Sequence, residues 1–262
     1  MNHRILHLTD LHLMSDAQQR LRGVPTQSTL TSILDQVRDQ TFDRLVITGD
    51  LAHDEQAATY AWLRAQLDDW LDRCRLVPGN HDNRSLLRAT FPEHVLGTEP
   101  DAPVTFRDSV GDWQLIGLDT QIPGSVAGDL GPEQLTWLRR ELAGCAGQPT
   151  IIWMHHPPVP IGSEWLDALG LQDPTVFQEI IAAAPHVRLI LAGHVHQEFS
   201  GRLEQAEVWT TPSAGVQFVP RAPTPTYDAL PPGYRLLQLE PEAYQTQVIR
   251  LAELEFPPDA NA

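Results

Sequence analysis

The chain has 262 residues, with 34 Asp plus Glu against 18 Lys plus Arg, a formal net charge of −16. Apolar residues at 42% and charged residues at 20% are ordinary for a packed protein and exclude wholesale disorder. So acidic a chain excludes a coat for nucleic acid or an anionic membrane, both of which need a basic surface. Taken alone, the charge also argues against a phosphorylated substrate.

From Met1 to Asp10 no apolar run is long enough for a signal peptide. No later stretch approaches the roughly 20 apolar residues of a membrane helix. Cys74 and Cys145 stand too far apart in sequence to suggest a disulfide framework or a Cys-type zinc site. A cytoplasmic protein is expected. A short strand over 5–8 is followed by a polar loop, and Leu30, Ile33, Leu34 and Val37 then recur at helical spacing. Residues 44–48 form a buried-type strand. Asp54 is placed to N-cap the next helix, whose stripe is Tyr60, Leu63, Leu67, Trp70 and Leu71. A third strand over 74–77 closes at Pro78-Gly79.

Residues 104–109 and 113–118 read as a hairpin. Pro132 opens a helix carrying Leu135, Leu138 and Leu142, and 150–154 is again a strand. Asp173 followed by Pro174 is the pattern of an N-cap and first helical residue, for a helix reaching Ala183. After a strand over 187–192 the pattern turns to β, over 208–211, 216–219, 234–239 and 245–251. Strands alternating with helices, then strands alone, indicate layered α/β architecture with a mixed sheet. No repeat or linker divides the sequence, and the Pro-rich stretch 220–232 reads as an ordered loop. One domain over 1–262 is expected, β-rich from about residue 200.

The chemistry sits where strands stop. Successive strands end at Asp10-Leu11-His12, Gly49-Asp50, Gly79-Asn80-His81-Asp82, His155-His156 and Gly193-His194-Val195-His196. In open α/β sheets, loops at the carboxyl ends of strands converge on one crevice, and the glycines permit sharp turns there. Asp10 with His12, and His194 with His196, share an i, i+2 spacing that in extended chain puts both side chains on one side. Asp10, His12, Asp50, Asn80, His155, His194 and His196 are too many ligands for one ion, which takes about four to six groups. They suit two ions sharing one carboxylate, either through both oxygens or through one, as in the two-metal clamp for displacement at phosphorus.

These motifs, in this order, resemble the calcineurin-like metallophosphoesterase superfamily. The runs Gly162-Ser163-Glu164-Trp165-Leu166-Asp167, Gln197-Glu198 after His196, Thr211-Pro212-Ser213, Val216-Gln217-Phe218 and Pro232-Gly233-Tyr234-Arg235 narrow the likeness to its bacterial class III cyclic-nucleotide phosphodiesterase branch. The resemblance covers residue 5 to about 251. It implies a four-layer α/β/β/α sandwich with mixed β-sheets and two metal ions drawn from iron, manganese, zinc or cobalt. One ion would be held by Asp10, His12 and His196, the other by Asn80, His155 and His194, with Asp50 bridging. Asp50, Asn80 and His81 would be catalytic. His81, Asn80 and His196 would meet the substrate, with His81 stabilising charge or protonating the leaving oxygen. The implied reaction is hydrolysis of 3′,5′-cyclic AMP, or a related cyclic nucleotide, to the 5′-nucleotide by a metal-bridging hydroxide. Two divalent ions would outweigh Asp10 and Asp50 and leave about one positive charge at the site even with that hydroxide, so net charge does not exclude a phosphate substrate. The partner expected is a small molecule, with no nucleic acid and no membrane; a homodimer is common in such proteins.

A broader phosphodiesterase acting on 2′,3′-cyclic nucleotides or glycerophosphodiesters is the alternative, and a non-catalytic metal-binding scaffold a lesser one. The chain departs from many relatives in placing His53 three residues after Asp50. His3, His7, His94 and His186 read as ordinary surface or core residues, as mostly does His53, while His156 is open between a support to the metal site, a substrate-facing group and a structural residue. Trp62, Trp70 and Trp137 read as core. Trp165 is equally compatible with packing or with walling a nucleotide pocket; Asn83 and Arg84 are placed to touch phosphate or base, although Arg84 reads rather as an exposed helix-start residue.

Overall fold

The structure is a computed structural model that describes residues 2–94, 96, 99, 102–241 and 243–259. In chain order the elements are β1 (His3–Leu8), α1 (Thr26–Val37), β2 (Arg44–Thr48), α2 (Ala57–Gln66), β3 (Cys74–Val77), α3 (Arg84–Thr90), β4 (Phe106–Val110), β5 (Trp113–Gly117) and α4 (Pro132–Gly144). There follow β6 (Thr150–Trp153), α5 (Glu164–Asp167), α6 (Thr175–Ala182), β7 (Val187–Ala192), β8 (Phe199–Leu203), β9 (Ala206–Thr210), β10 (Gln217–Phe218), β11 (Tyr227–Asp228), β12 (Gly233–Leu239) and β13 (Tyr244–Arg250). One sheet runs β13-β12-β1-β2-β3 and a second β4-β5-β6-β7-β9-β8, while β10 and β11 form a separate ribbon.

Three apolar clusters separate four layers, because both sheets carry apolar residues on both faces. Leu6, Leu8, Leu45, Ile47 and Leu76 pack outward with Leu30, Ile33 and Leu34 of α1 and Tyr60 and Leu63 of α2. Ile5, Val46 and Val77 meet Leu115, Ile151, Trp153 and Leu189 between the sheets. Ile116, Ile152 and Ile190 cover α4 and α6 through Leu138, Leu142, Phe177 and Ile181. This is the α/β/β/α sandwich expected. Within it β1, β2 and β3 pair in parallel, as do β5, β6, β7 and β9. Both sheets therefore offer carboxyl ends of parallel strands to one edge of the sandwich.

Several local expectations are corrected. Asp54 lies before the cap: α2 starts at Ala57 after Gln56, and Asp54 instead accepts from Ser15 N, Gln56 N and Thr59 Oγ1. The α2 stripe divides, because a 3₁₀ turn over Asp68–Arg73 carries Trp70 and Leu71. Pro174 occupies the N-cap of α6, with Asp173 in left-handed backbone before it. β8 and β11 were not anticipated; β11 lies inside the Pro-rich stretch. Arg84 is half-buried, its Nε 2.6 Å from Asp119 Oδ2 and its Nη2 donating to Gln121 O. Both cysteines are buried and free, and no helix among the described residues is long and apolar enough to cross a membrane.

Two buried polar knots hold the strand ends in register. Asp82, after β3, accepts from Leu51 N (3.1 Å), Ala52 N (3.1 Å), Gly79 N (2.9 Å) and Tyr60 Oη (2.9 Å), which locks the loop after β2 to the loop after β3. Between the sheets, Thr211 Oγ1 accepts from Arg235 Nε and lies 2.7 Å from His7 Nδ1, while His7 Nε2 lies 2.7 Å from Thr48 Oγ1. The Thr211 hydroxyl is then free to donate to His7 Nδ1, and His7 Nε2–H to donate to Thr48. Burial first, and the Arg235 charge second, hold His7 well below its ordinary value of 6.5, so the ring is neutral.

Two measurements test these knots. Asp82→Ala leaves three buried amides without an acceptor and is expected to lower stability by about 3 kcal/mol or more, against about 1 kcal/mol for Tyr60→Phe. Equal losses in urea denaturation would contradict this. For His7, the depressed folded value means that only the unfolded chain gains a proton below pH 6.5, so its contribution is present above 6.5 and lost on acidification. The slope is about 1.4 kcal/mol per pH unit from this one group. The stability gap between wild type and His7→Gln should therefore shrink between pH 7 and 5; a gap independent of pH would exclude it.

Candidate metal centre

All seven sequence-derived ligand candidates meet at the shared edge. Asp10 and His12 follow β1, Asp50 follows β2, Asn80 and His81 follow β3, His155 follows β6, and His194 and His196 follow β7. Their backbone is not extended, as the i, i+2 spacing suggested. Asp10 (φ 53°), His12 (46°), Asp50 (51°), His194 (70°) and His196 (48°) are all left-handed. That conformation costs a residue with a Cβ roughly 1–2 kcal/mol, and Asp and His are among the residues that tolerate it best. Hydrogen bonds between loops hold it: Asp10 N donates to Gly49 O, His12 N to Asp50 O, and His194 N to Asp10 Oδ2. The turns also separate His194 from His196, which face different clusters.

The first cluster is Asp10, His12 and His196. His12 Nε2 lies 3.0 Å from His196 Nε2, and His196 Nε2 3.3 Å from Asp10 Oδ1. In the second, Asn80 Oδ1 lies 3.2 Å from His155 Nε2 and 3.1 Å from His194 Nδ1. Asp50 stands between them, with Oδ2 3.4 Å from His12 Nε2 and 3.5 Å from His155 Nε2. Its other oxygen, Oδ1, accepts from His81 N at 2.9 Å. The one oxygen that faces both clusters is therefore Oδ2.

The donor set fits cations. Thr48 O and Val216 O can only accept, so His155 and His196 carry protons on Nδ1 (2.8 Å in each case) and turn Nε2 inward. Burial opposes charge on His155, yet Asp50 and Asp10 outweigh it and push the ring up to about 9, the response of a site that attracts positive charge. Burial likewise opposes ionisation of Asp50, but His155 and His12 hold it well below the carboxylate range. Burial and the neighbouring rings keep His12 and His194 well below 6.5. Buried imidazoles beside carboxylates and an amide oxygen suit borderline divalent ions, and neither cysteine takes part.

The motif glycines act differently from the expectation. Only Gly49 has positive φ. At Gly79 a Cβ would lie 2.2 Å from Asp50 Oδ1, and at Gly193 one would lie 1.9 Å from Thr9 Oγ1. Those two provide room for neighbouring loops.

Around the clusters, His156 accepts from Thr120 Oγ1 at Nδ1 and donates from Nε2 to Val126 O, so both its nitrogens are engaged. It packs on His155 and His194 with centroids 4.8 and 4.4 Å away, and burial, then His155, lower it to about 3. Asp82 is pushed up to about 7 by burial and by the charge on Asp50. His53 is the residue that sequence reasoning undervalued. Its Nδ1 lies 3.3 Å from His12 Nδ1, and its ring stacks on His81 at 4.8 Å and 25°. The departure at that position was its only signal. His81 lies half-buried where the clusters open into a cleft of about 450 Å³, also lined by Arg20, Arg22, Trp165, Phe218 and Tyr227. His3, by contrast, pairs with Asp43, and His94 and His186 lie away from the site.

Residues 3–198 match the family described as Calcineurin-like phosphoesterase. The chain is 35% identical over 259 residues to the 3′,5′-cyclic adenosine monophosphate phosphodiesterase CpdA of Escherichia coli strain K12, covering 98% of this chain and 92% of that one. It is 34% identical over 259 residues to the Pseudomonas aeruginosa protein of the same name, covering 97% and 92%. Among solved structures, a dimetal phosphatase from Danio rerio superposes with a TM-score of 0.66 over 95% of this chain and 98% of that chain, at 14% identity, a likeness of fold. With the fold, the strand-end motifs and these matches in agreement, the chain belongs to the calcineurin-like phosphoesterase family.

Proposed function

We propose that this protein is a metal-dependent phosphodiesterase that hydrolyses 3′,5′-cyclic AMP to 5′-AMP. The observation that carries the reading is the pair of buried donor clusters meeting at Asp50 Oδ2. The relatives named for that activity support it across nearly their whole length. Residues 1–262 would act as one catalytic unit, in the cytoplasm; the homodimer suggested by the family likeness belongs to the same proposal.

Asp10, His12 and His196 would hold one ion and Asn80, His155 and His194 the other, with Asp50 shared between them. Iron, manganese, zinc and cobalt all suit these ligands. Bound there, the ions would supply charge neutralisation at the phosphoryl oxygens and acidify the attacking water. The protein's own part is to place and dry the reacting groups. His81 N fixes Asp50 through Oδ1, while the His81 ring, stacked on His53, faces the cleft beside the clusters. There it stabilises negative charge on the phosphoryl group or gives a proton to the departing 3′ oxygen. As the P–O3′ bond breaks, its electron pair and that proton leave a 3′ hydroxyl, and the phosphate stays on the 5′ carbon.

His81→Ala should lower kcat roughly 10²- to 10⁴-fold with metal content unchanged. Asn80→Ala should abolish hydrolysis of bis(p-nitrophenyl) phosphate and reduce bound metal; full activity in that variant would exclude the ligand set. For the substrate, kcat/KM should be highest for 3′,5′-cyclic AMP; a clear preference for 2′,3′-cyclic AMP or glycerophosphodiesters would replace this reading with the broader one. Metal analysis of protein purified without chelators should give about two ions per chain, and a chelator should remove activity.

A further inference from the structure

The cleft changes character along its length. Its floor is the cluster of imidazoles and carboxylates, while its outer wall is aromatic. Phe218 and Tyr227 are register partners in the β10–β11 ribbon, with ring centroids 5.5 Å apart and planes inclined by 34°. Phe218 stacks on His196 at 4.6 Å and 26°, so the wall begins one ring away from the proposed metal ligands. Trp165 meets Phe218 edge-on at 4.9 Å and 89°, making a right-angled corner. On the far side, the Arg22 guanidinium lies 5.4 Å from the centre of the Tyr227 ring. All three aromatic rings are half-buried and line the cleft. Asp50 is the only acid among the described lining residues, beside two arginines, in a chain of net charge −16.

We infer that Trp165, Phe218 and Tyr227 form a nucleobase subsite, which makes the enzyme selective for nucleotide diesters over diesters without a base. The inference rests on the proposed phosphodiesterase reading and adds what holds the other end of the substrate. A ligand suited to this cleft has an anionic end for the floor and a flat, weakly polar end for the wall, as a nucleotide has. Every base has a π face, so a corner of aromatic rings holds a base by stacking, and Arg22 secures Tyr227 by a cation–π contact. A glycerophosphodiester would satisfy the floor and leave the wall without a partner. Phe218 and Tyr227 are tied by backbone pairing, and Trp165 by α5, so the corner lies on defined elements rather than free loop.

The test compares kcat/KM for 3′,5′-cyclic AMP with that for the abasic ribose 3′,5′-cyclic phosphate, in wild type, Trp165→Leu and Tyr227→Leu, all metal-loaded. Phe218 is left intact because its ring packs on His196. Each substitution is expected to lower the ratio roughly 5- to 100-fold, the span of one base–aromatic stack. Independently of metal and turnover, adenosine titrated into metal-free protein should quench tryptophan fluorescence, and Trp165→Phe should remove that quenching. If the ratio is the same in all three proteins and adenosine does not quench, the subsite is overturned. If neither cyclic phosphate is turned over but adenosine still quenches through Trp165, the catalytic reading fails and the subsite stands.

Discussion

Asp50 is a carboxylate 2% exposed, and among the described residues its ion-pair partners are the imidazoles of His12 and His155, not an arginine. Its charge is tolerated because imidazoles on two sides, His12 and His155, face the same oxygen. An isolated buried carboxylate would protonate rather than bear the loss of water. The arrangement of the whole edge follows from that requirement. β2 must deliver Asp50 between the ends of β1 and β6, which lie in different sheets, so the two sheets must face each other closely. The apolar layer between them, from Ile5 and Val46 to Leu115 and Leu189, sets their spacing, and the neutral His7 between Thr48 and Thr211 adds a polar pin beneath the site.

Charge is distributed to match. Several acids away from the cleft pair with arginines of the scaffold: Asp108 with Arg44 and Arg75, Asp119 with Arg84, and Glu141 with Arg107. The cleft itself combines Arg20 and Arg22 with one buried acid. The molecule is strongly acidic as a whole and hospitable to an anion at one place. Overall charge governs what sticks to the surface at long range, whereas local groups decide what enters a pocket.

The clustering of the candidate ligands was readable because such groups come from a few residue types, and the fold brings strand ends together whatever lies between them. Asp10, His12, Asp50, Asn80, His155, His194 and His196 all lie at the strand ends the motifs marked; the alternating strand and helix patterns indicate a layered α/β fold, and the four-layer sandwich comes from the family resemblance. Their backbone was not readable. An i, i+2 pair looks the same in sequence whether extended or coiled left-handed, and only the loop-to-loop hydrogen bonds decide between the two. His53 was undervalued because its partners, His12 and His81, lie on other loops. Arg84 looked exposed because its acceptor, Asp119, is 35 residues away. β8 escaped because Ser200, Gly201 and Arg202 lack strand patterning; pairing to β9 alone makes the segment a strand.

The absence of a side chain at Gly79 has a consequence for how such enzymes diversify. A single methyl there would fall on Asp50 Oδ1, so the floor of the site can drift only through several simultaneous changes. The outer wall has no such interlock: Trp165, Tyr227 and Arg22 can be exchanged one at a time without touching the strand ends. A change at the rim therefore leaves the geometry of the strand ends intact, whereas a change at Gly79 does not.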